Sequence, residues 1–143
     1  MAIQQISVFL ENRAGQLADI TSVLAASGTD LRAVNIAETA DYGVVRLVAD
    51  DVRRAAMALS EADYVLSLTP VVAVEVPDRP GGLSSVLCFL ADKNVSVEYM
   101  YSMLQQERGT AFMVFRVAKP EELEALLTSG GFHSATAEEL GIC

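Results

Sequence analysis

Aromatic side chains make up only 6% of the 143 residues, and tryptophan is absent. With 52% hydrophobic residues the core must therefore be built from Val, Leu, Ile, Ala and Met. That composition suits compact α/β packing rather than a stacking platform, and it excludes a disordered chain. Positive charge is also scarce, with ten Lys plus Arg against nineteen Asp plus Glu and a formal net charge of −9. The summed field repels phosphate backbones and anionic lipid, so nucleic acid and membrane surfaces are excluded as partners. Cysteine is limited to Cys88 and Cys143, with no CxxC spacing and a single histidine, His133. No metal set can be assembled from that inventory, and two free thiols in a reducing compartment are expected. Cys88 falls in an apolar helical pattern and is expected in the core, whereas Cys143 is expected to be mobile. No run approaches eighteen apolar residues and no leader pattern opens the chain, so a cytoplasmic location without bound cofactor is expected.

What is present is a repeat. Asn12-Arg13-Ala14-Gly15-Gln16-Leu17-Ala18-Asp19-Ile20 lies on Asp78-Arg79-Pro80-Gly81-Gly82-Leu83-Ser84-Ser85-Val86 at an offset of 66. The same offset lays Leu24-Ala25 on Leu90-Ala91, Leu31 on Val97 and Gly43 on Gly109, the two glycines being expected in hairpin turns. Further on the offset drifts to 69, with Val48-Ala49 on Val117-Ala118.

Each copy predicts the same elements. Alternation in Ile6 to Leu10 and Val72 to Val76 predicts strands, each ending at a glycine-containing loop. Leu17, Ile20, Val23 and Leu24 recur at helical spacing, as do Leu83, Val86, Leu87 and Leu90. Gly28 and Asn94 stop these helices by tolerating a left-handed C-terminal cap. Strands follow over Asp30 to Glu38 and Val95 to Leu104, then turns at Asp41-Tyr42-Gly43 and Gln105 to Gly109. Return strands run over Val44 to Ala49 and Ala111 to Val117. Second helices begin near Asp51, an N-cap, and near Pro120, whose fixed φ suits a first turn. Closing strands are expected over Tyr64 to Thr69 and Phe132 to Thr136. The order β-α-β-β-α-β twice over predicts an α+β protein of two tandem ferredoxin-like domains, residues 1–69 and 70–143. Their antiparallel sheets carry the helices on one face, and with only Pro70 as a junction the halves are expected to pack rigidly.

The turn from first strand to first helix is the most informative feature. Helix-start N–H groups lack intrahelical partners and carry partial positive charge, which attracts a carboxylate. Gly15 and the pair Gly81-Gly82 remove side chains that would block access, and Asn12 and Asp78 offer oxygens to an ammonium group. A purely structural reading stands beside this one: glycine there can be a backbone requirement, and Asn or Asp an N-cap. Arg13 and Arg79 could clamp a carboxylate or simply face solvent. Tyr99, Met100, Tyr101 and Met103 are expected to pack in the core or a domain interface, or to form an apolar ligand wall. His133 is expected to be structural.

These segments, from Phe9 to Leu17 followed by Asp30-Leu31 and from Val76 to Leu83 followed by Ser96-Val97, resemble the ACT domain over essentially the whole chain. In that family an Asn/Asp-Arg-Pro-Gly-x-Leu turn joins strand to helix. The resemblance implies regulatory binding of an amino acid or similar effector at interfaces between paired domains. It places ligand contacts on Asn12, Arg13, Ala14, Gly15, Gln16, Leu17 and Asp30, and on Asp78, Arg79, Pro80, Gly81, Gly82, Leu83 and Ser96. Ala14 departs from the family's proline. Asp78, replacing an asparagine, would repel a carboxylate, which favours the first copy for binding.

The implied protein is an allosteric sensor, expected to form a homodimer and to act on a partner enzyme in amino-acid metabolism. A ligand-free interaction module is the alternative. A small enzyme is the weakest reading, since no Ser-His-Asp, Cys-His or metal-ligand spacing is present.

Overall fold

A computed structural model describes residues 3–11, 13–38, 42–104 and 109–143. Asn12, Asp41 and positions 105–108 of the second hairpin lie outside the described residues. The elements are β1 (Ile3–Glu11), α1 (Gln16–Ala26), β2 (Leu31–Glu38), β3 (Tyr42–Ala49), α2 (Val52–Glu61), β4 (Val65–Pro77), α3 (Gly82–Asp92), β5 (Tyr99–Ser102), β6 (Thr110–Arg116), α4 (Pro120–Ser129) and β7 (Ser134–Ala135).

Contacts divide the chain into two units, one of Gln4–Thr69 with Gly141–Cys143 and one of Pro70–Leu140 joined by Ile3. In the first, antiparallel pairing runs β2-β3-β1 with β4 next in order after β1. In the second it runs β5-β6-β4 with β7 on the other side of β4. Both orders are ferredoxin-like.

One core fills each unit. In the first, Ile6, Val8 and Leu10 of β1 meet Ile20 and Leu24 of α1, Val45, Leu47 and Ala49 of β3, and Ala55 and Leu59 of α2. Alternate residues of a strand share a face, so both helices cover the same face. The second core repeats this with Val72, Val74 and Val76, then Val86 and Leu90, then Phe115 and Val117, then Leu123 and Leu127. Burying leucines as fully as Leu24, Leu59, Leu90 and Leu127 is worth about 2 kcal/mol each.

Several expectations are corrected. The repeat offset beyond the hairpin is 68, not 69: α2 and α4 begin at Val52 and Pro120, and Ala49 occupies the core slot of Val117. Gly43 lies inside β3 opposite Leu10, so only Gly109, at φ 81°, sits in a turn. The closing and opening strands around Pro70 are one strand, β4, in which the Pro70 carbonyl accepts from Arg116 Nη1 at 3.0 Å. β5 is shorter than expected, its ladder with β6 running from Tyr99 opposite Arg116 to Ser102 opposite Met113. Cys88 is exposed rather than in the core, lying on the solvent side of the stripe formed by Val86 and Leu90. Cys143 is held, its N–H donating to the Asp50 carbonyl at 2.7 Å.

The helix signals are found as read. Asp51 caps α2 by accepting from Arg54 N–H at 3.1 Å, Pro120 occupies the first turn of α4, and Gly28 and Asn94 take left-handed φ of 74° and 57° just past α1 and α3. Among the described residues, no helix is long and apolar enough to cross a membrane.

Candidate ligand-binding site

The two turns have one backbone. Gly15 and Gly81 precede their helices at φ 89° and 85°, a left-handed conformation natural only to glycine, and neither helix receives a side-chain cap. Arg13 N–H donates to Glu11 O at 2.9 Å, as Arg79 N–H does to Pro77 O. Asp19 N–H reaches Gly15 O at 2.9 Å, and Ser85 N–H reaches Gly81 O at 3.0 Å. The first helical amides are already used, Gln16 N–H on Arg13 O at 3.4 Å and Gly82 N–H on Arg79 O at 3.0 Å. Those of Leu17, Ala18, Leu83 and Ser84 have no partner among the described residues.

The glycines divide by role. A Cβ on Gly15 or Gly81 would meet open space. One on Gly82 would lie 1.9 Å from the Pro77 carbonyl oxygen, so this glycine lets α3 start hard against the end of β4. That corrects the view of Gly82 as clearing space for a ligand, since the protein's own carbonyl takes the space. Gln16 occupies the equivalent position with a full side chain, so α1 must stand further off β1.

Beside the first turn lies a cleft of about 530 Å³, bounded by Phe9, Glu11, Arg13 and Gln16 and, from the α2–β4 link, Asp63 and Tyr64. Asp19 and Tyr42 also line it. The Tyr64 hydroxyl donates to Asp19 Oδ2. Burial raises the Tyr64 pKa above its ordinary value, and the Asp19 carboxylate adds to the effect. Arg13 Nε lies 3.3 Å from Glu11 Oε2 in an exposed pair. The matching corner of the second unit holds a smaller cavity of about 320 Å³ lined by Glu75, Pro77, Thr110, Gly131, Phe132 and His133.

Of the residues read from the sequence, Arg13 and Gln16 line the first cleft, and Ala14, Gly15 and Leu17 sit exposed on the same turn. Asp78, Arg79, Pro80 and Gly81 are exposed on the second turn, with Leu83 half-buried against the core. Asp30 and Ser96 are not brought to these turns. In the β3 ladders Leu31 pairs at Ala49 and Glu11 at Tyr42, seven residues or about 20 Å apart. Asp30 instead donates its N–H to Asp50 Oδ1 at 2.9 Å and pairs with Arg32 Nη1 at 3.3 Å, while Arg32 Nη2 holds the Gly141 carbonyl at 3.3 Å. Ser96 lines a separate cavity of about 270 Å³ with Val95, Val117, Lys119, Leu123 and Leu126. Tyr101 and Met103 are buried, Met100 joins the second core, and Tyr99 lies along Tyr101 with ring centres 6.4 Å apart, so the cluster packs the protein. His133 is exposed and bonded to Glu139 at 2.6 Å, which draws the Glu139 pKa below its ordinary value.

The reading from sequence missed Phe9, Glu11, Asp19, Tyr42, Asp63 and Tyr64. The available signal was the strand order: a ferredoxin-like fold seats the fourth strand beside the first, which carries the α2–β4 link to the mouth of the turn.

Paired ferredoxin-like units with glycine-started helices define a class of tandem α+β protein. The ACT domain pair matches residues 1–137, and the chain belongs to that family. Protein BT0572 from Bacteroides thetaiotaomicron is similar over 99% of this chain and 96% of its own, with 35% identity and a TM-score of 0.91. The ligand-free regulatory subunit of aspartate kinase from Thermus thermophilus shares the fold at 13% identity and TM-score 0.66, covering 90% of this chain and 93% of that one. The regulatory subunit from Thermus flavus does so at 13% identity and TM-score 0.59, covering 92% and 94%. No curated protein sequence matches.

Proposed function

We propose that this chain is a non-catalytic regulatory protein that binds a small effector of the amino-acid class at the turn between β1 and α1. The observation that carries this reading is the cleft of about 530 Å³ in the first unit, which sets Arg13 and Gln16 beside an uncapped helix start. A volume in this range suits a small molecule. The regulatory subunits that share the fold support the role, and binding is proposed to act on a partner enzyme of amino-acid metabolism in the cytoplasm.

A homodimer is part of the proposal. β2 pairs only with β3 among the described strands and leaves Val34 and Ile36 exposed, an edge suited to another chain. Asp30 and Ser96 would then contact an effector only if a second domain brought them to a turn. Thermal shift and calorimetry of the full chain against the twenty amino acids test the reading, because a specific binder stabilises the folded state by mass action. At least one should raise the melting temperature. Flat traces with all twenty would refute it.

A further inference from the structure

The first-unit cleft is not electrically neutral. Three carboxylates line it, Glu11, Asp19 and Asp63, against one cation, Arg13, whose charge Glu11 already meets at 3.3 Å. Asp19 is bonded through Oδ2 by the Tyr64 hydroxyl. The Asp63 carboxylate has no ion pair or hydrogen bond among the described residues. Tyr64, Tyr42 and Phe9 add aromatic rings to the same walls, and Phe9 is 46% exposed, so its face is reachable. Ring faces attract cations.

The second unit shows that the fold does not require these charges. At the positions of Glu11, Asp19 and Asp63 it carries Pro77, Ser85 and Gly131, and Phe132 replaces Tyr64. Gly131 makes the same left-handed bend as Asp63, φ 79° against 67°, so the bend itself does not require a carboxylate. Among the described residues no three acidic, histidine or cysteine side chains are grouped closely enough to hold a metal ion. The excess negative charge therefore suits an organic cation.

We infer that the first-unit cleft takes an amino acid with a cationic side chain, its ammonium or guanidinium end held by Asp63 and Asp19 between the rings and its carboxylate toward Arg13. This rests on the reading of the cleft as the effector site and narrows it. Calorimetry of the full chain with lysine, arginine, norleucine and glutamate tests it, on wild type and on Asp63→Asn and Asp63→Gly. The second variant copies the residue that makes this bend in the other unit, so it should fold, which a thermal melt checks.

A basic amino acid should bind at least tenfold more tightly than norleucine. Both variants should lose tenfold or more of that affinity while leaving norleucine unchanged. Equal or tighter binding of norleucine or glutamate, or variants that bind lysine and arginine as wild type does, would overturn the cationic class and leave the effector site standing. Binding of no amino acid at all would overturn both.

Discussion

The start of α2 and the start of α4 carry the same ion pair with its charges reversed, and the consequences run through both ends of the two units. In the first unit Asp51 precedes the helix and pairs with Arg54 at 3.3 Å; in the second Lys119 precedes it and pairs with Glu122 at 3.6 Å. Only the first order makes a cap, because an N-cap must accept from helical amides and a lysine has no acceptor. Arg54 goes on to bridge the corner, donating from Nη1 to the Gly28 carbonyl at 3.3 Å. The second unit, with Glu122 there, holds a cavity of about 270 Å³ beside Ser96, where the first has a wider cleft of about 490 Å³ lined by Ser27, Asp51 and Arg54. At the opposite end the first unit again has the larger opening. The second unit is narrower there, with Gly82 against Pro77, Phe89 against Phe132 at 5.3 Å between ring centres and a cavity of about 320 Å³, while the first has the acidic cleft of about 530 Å³. A duplicated fold has been tuned at its ends, with matching cores and divergent corners.

The largest way to break this contrast is Gly82→Ala. Its Cβ would need the backbone of Pro77 to retreat, an overpacking cost of about 3 kcal/mol. Urea denaturation should show that loss, and a near-neutral result would mean the α3 start is looser than its geometry. The reciprocal Gln16→Gly should cost no more than about 1 kcal/mol, the ordinary penalty for helical glycine. Next in size, Gly15→Ala and Gly81→Ala should each cost about 1–2 kcal/mol despite open space, because an L side chain opposes φ near +85° to +90°. Equal losses at the two sites would mark the turns as energetically equivalent. Unequal ones would separate them where the backbone does not.

The helix boundaries were legible in the chain because each is set locally: Asp51 by its side-chain acceptor, Pro120 by its fixed φ, Gly28 and Asn94 by their tolerance of positive φ. The core was legible because Ile20, Leu24, Val86 and Leu90 repeat at helical spacing. What the chain did not disclose is set by partners distant in sequence. β4 runs through Pro70, whose carbonyl meets the Arg116 side chain, and β5 starts at Tyr99, opposite the end of β6 at Arg116. The repeat offset was misjudged because Val-Ala recurs too often to fix a register, whereas the paired core slots of Ala55 with Leu123 and Leu59 with Leu127 do fix it. The candidate site was half visible. Its turn is a local motif flanked by Glu11 and Asp19, but the facing wall comes from Asp63 and Tyr64, some fifty residues further on. Asp63 signals its left-handed bend more weakly than Gly130-Gly131 does in the other copy.

The smallest expected effect concerns the reversed ion pair itself. The Arg54 amide, and after it the Arg54 charge, holds the Asp51 carboxyl below its ordinary pKa. A carboxyl depressed in the folded state stabilises the fold above its unfolded pKa, and that contribution fades as pH falls through the folded value. Acidification below the ordinary carboxylate range should therefore weaken the start of α2 through loss of this cap, a loss that α4, which has no side-chain cap, cannot share. Asp51→Ser retains an acceptor that does not titrate, so it should hold stability near neutral pH and show a shallower acid loss in urea melts. Lys119→Asp should place a cap on α4, gain about 1 kcal/mol at neutral pH, and surrender that gain over the same acidic range. If Asp51→Ser loses stability with acid as steeply as wild type, the acid sensitivity lies elsewhere and the reversed charges at the two helix starts make no difference to folding.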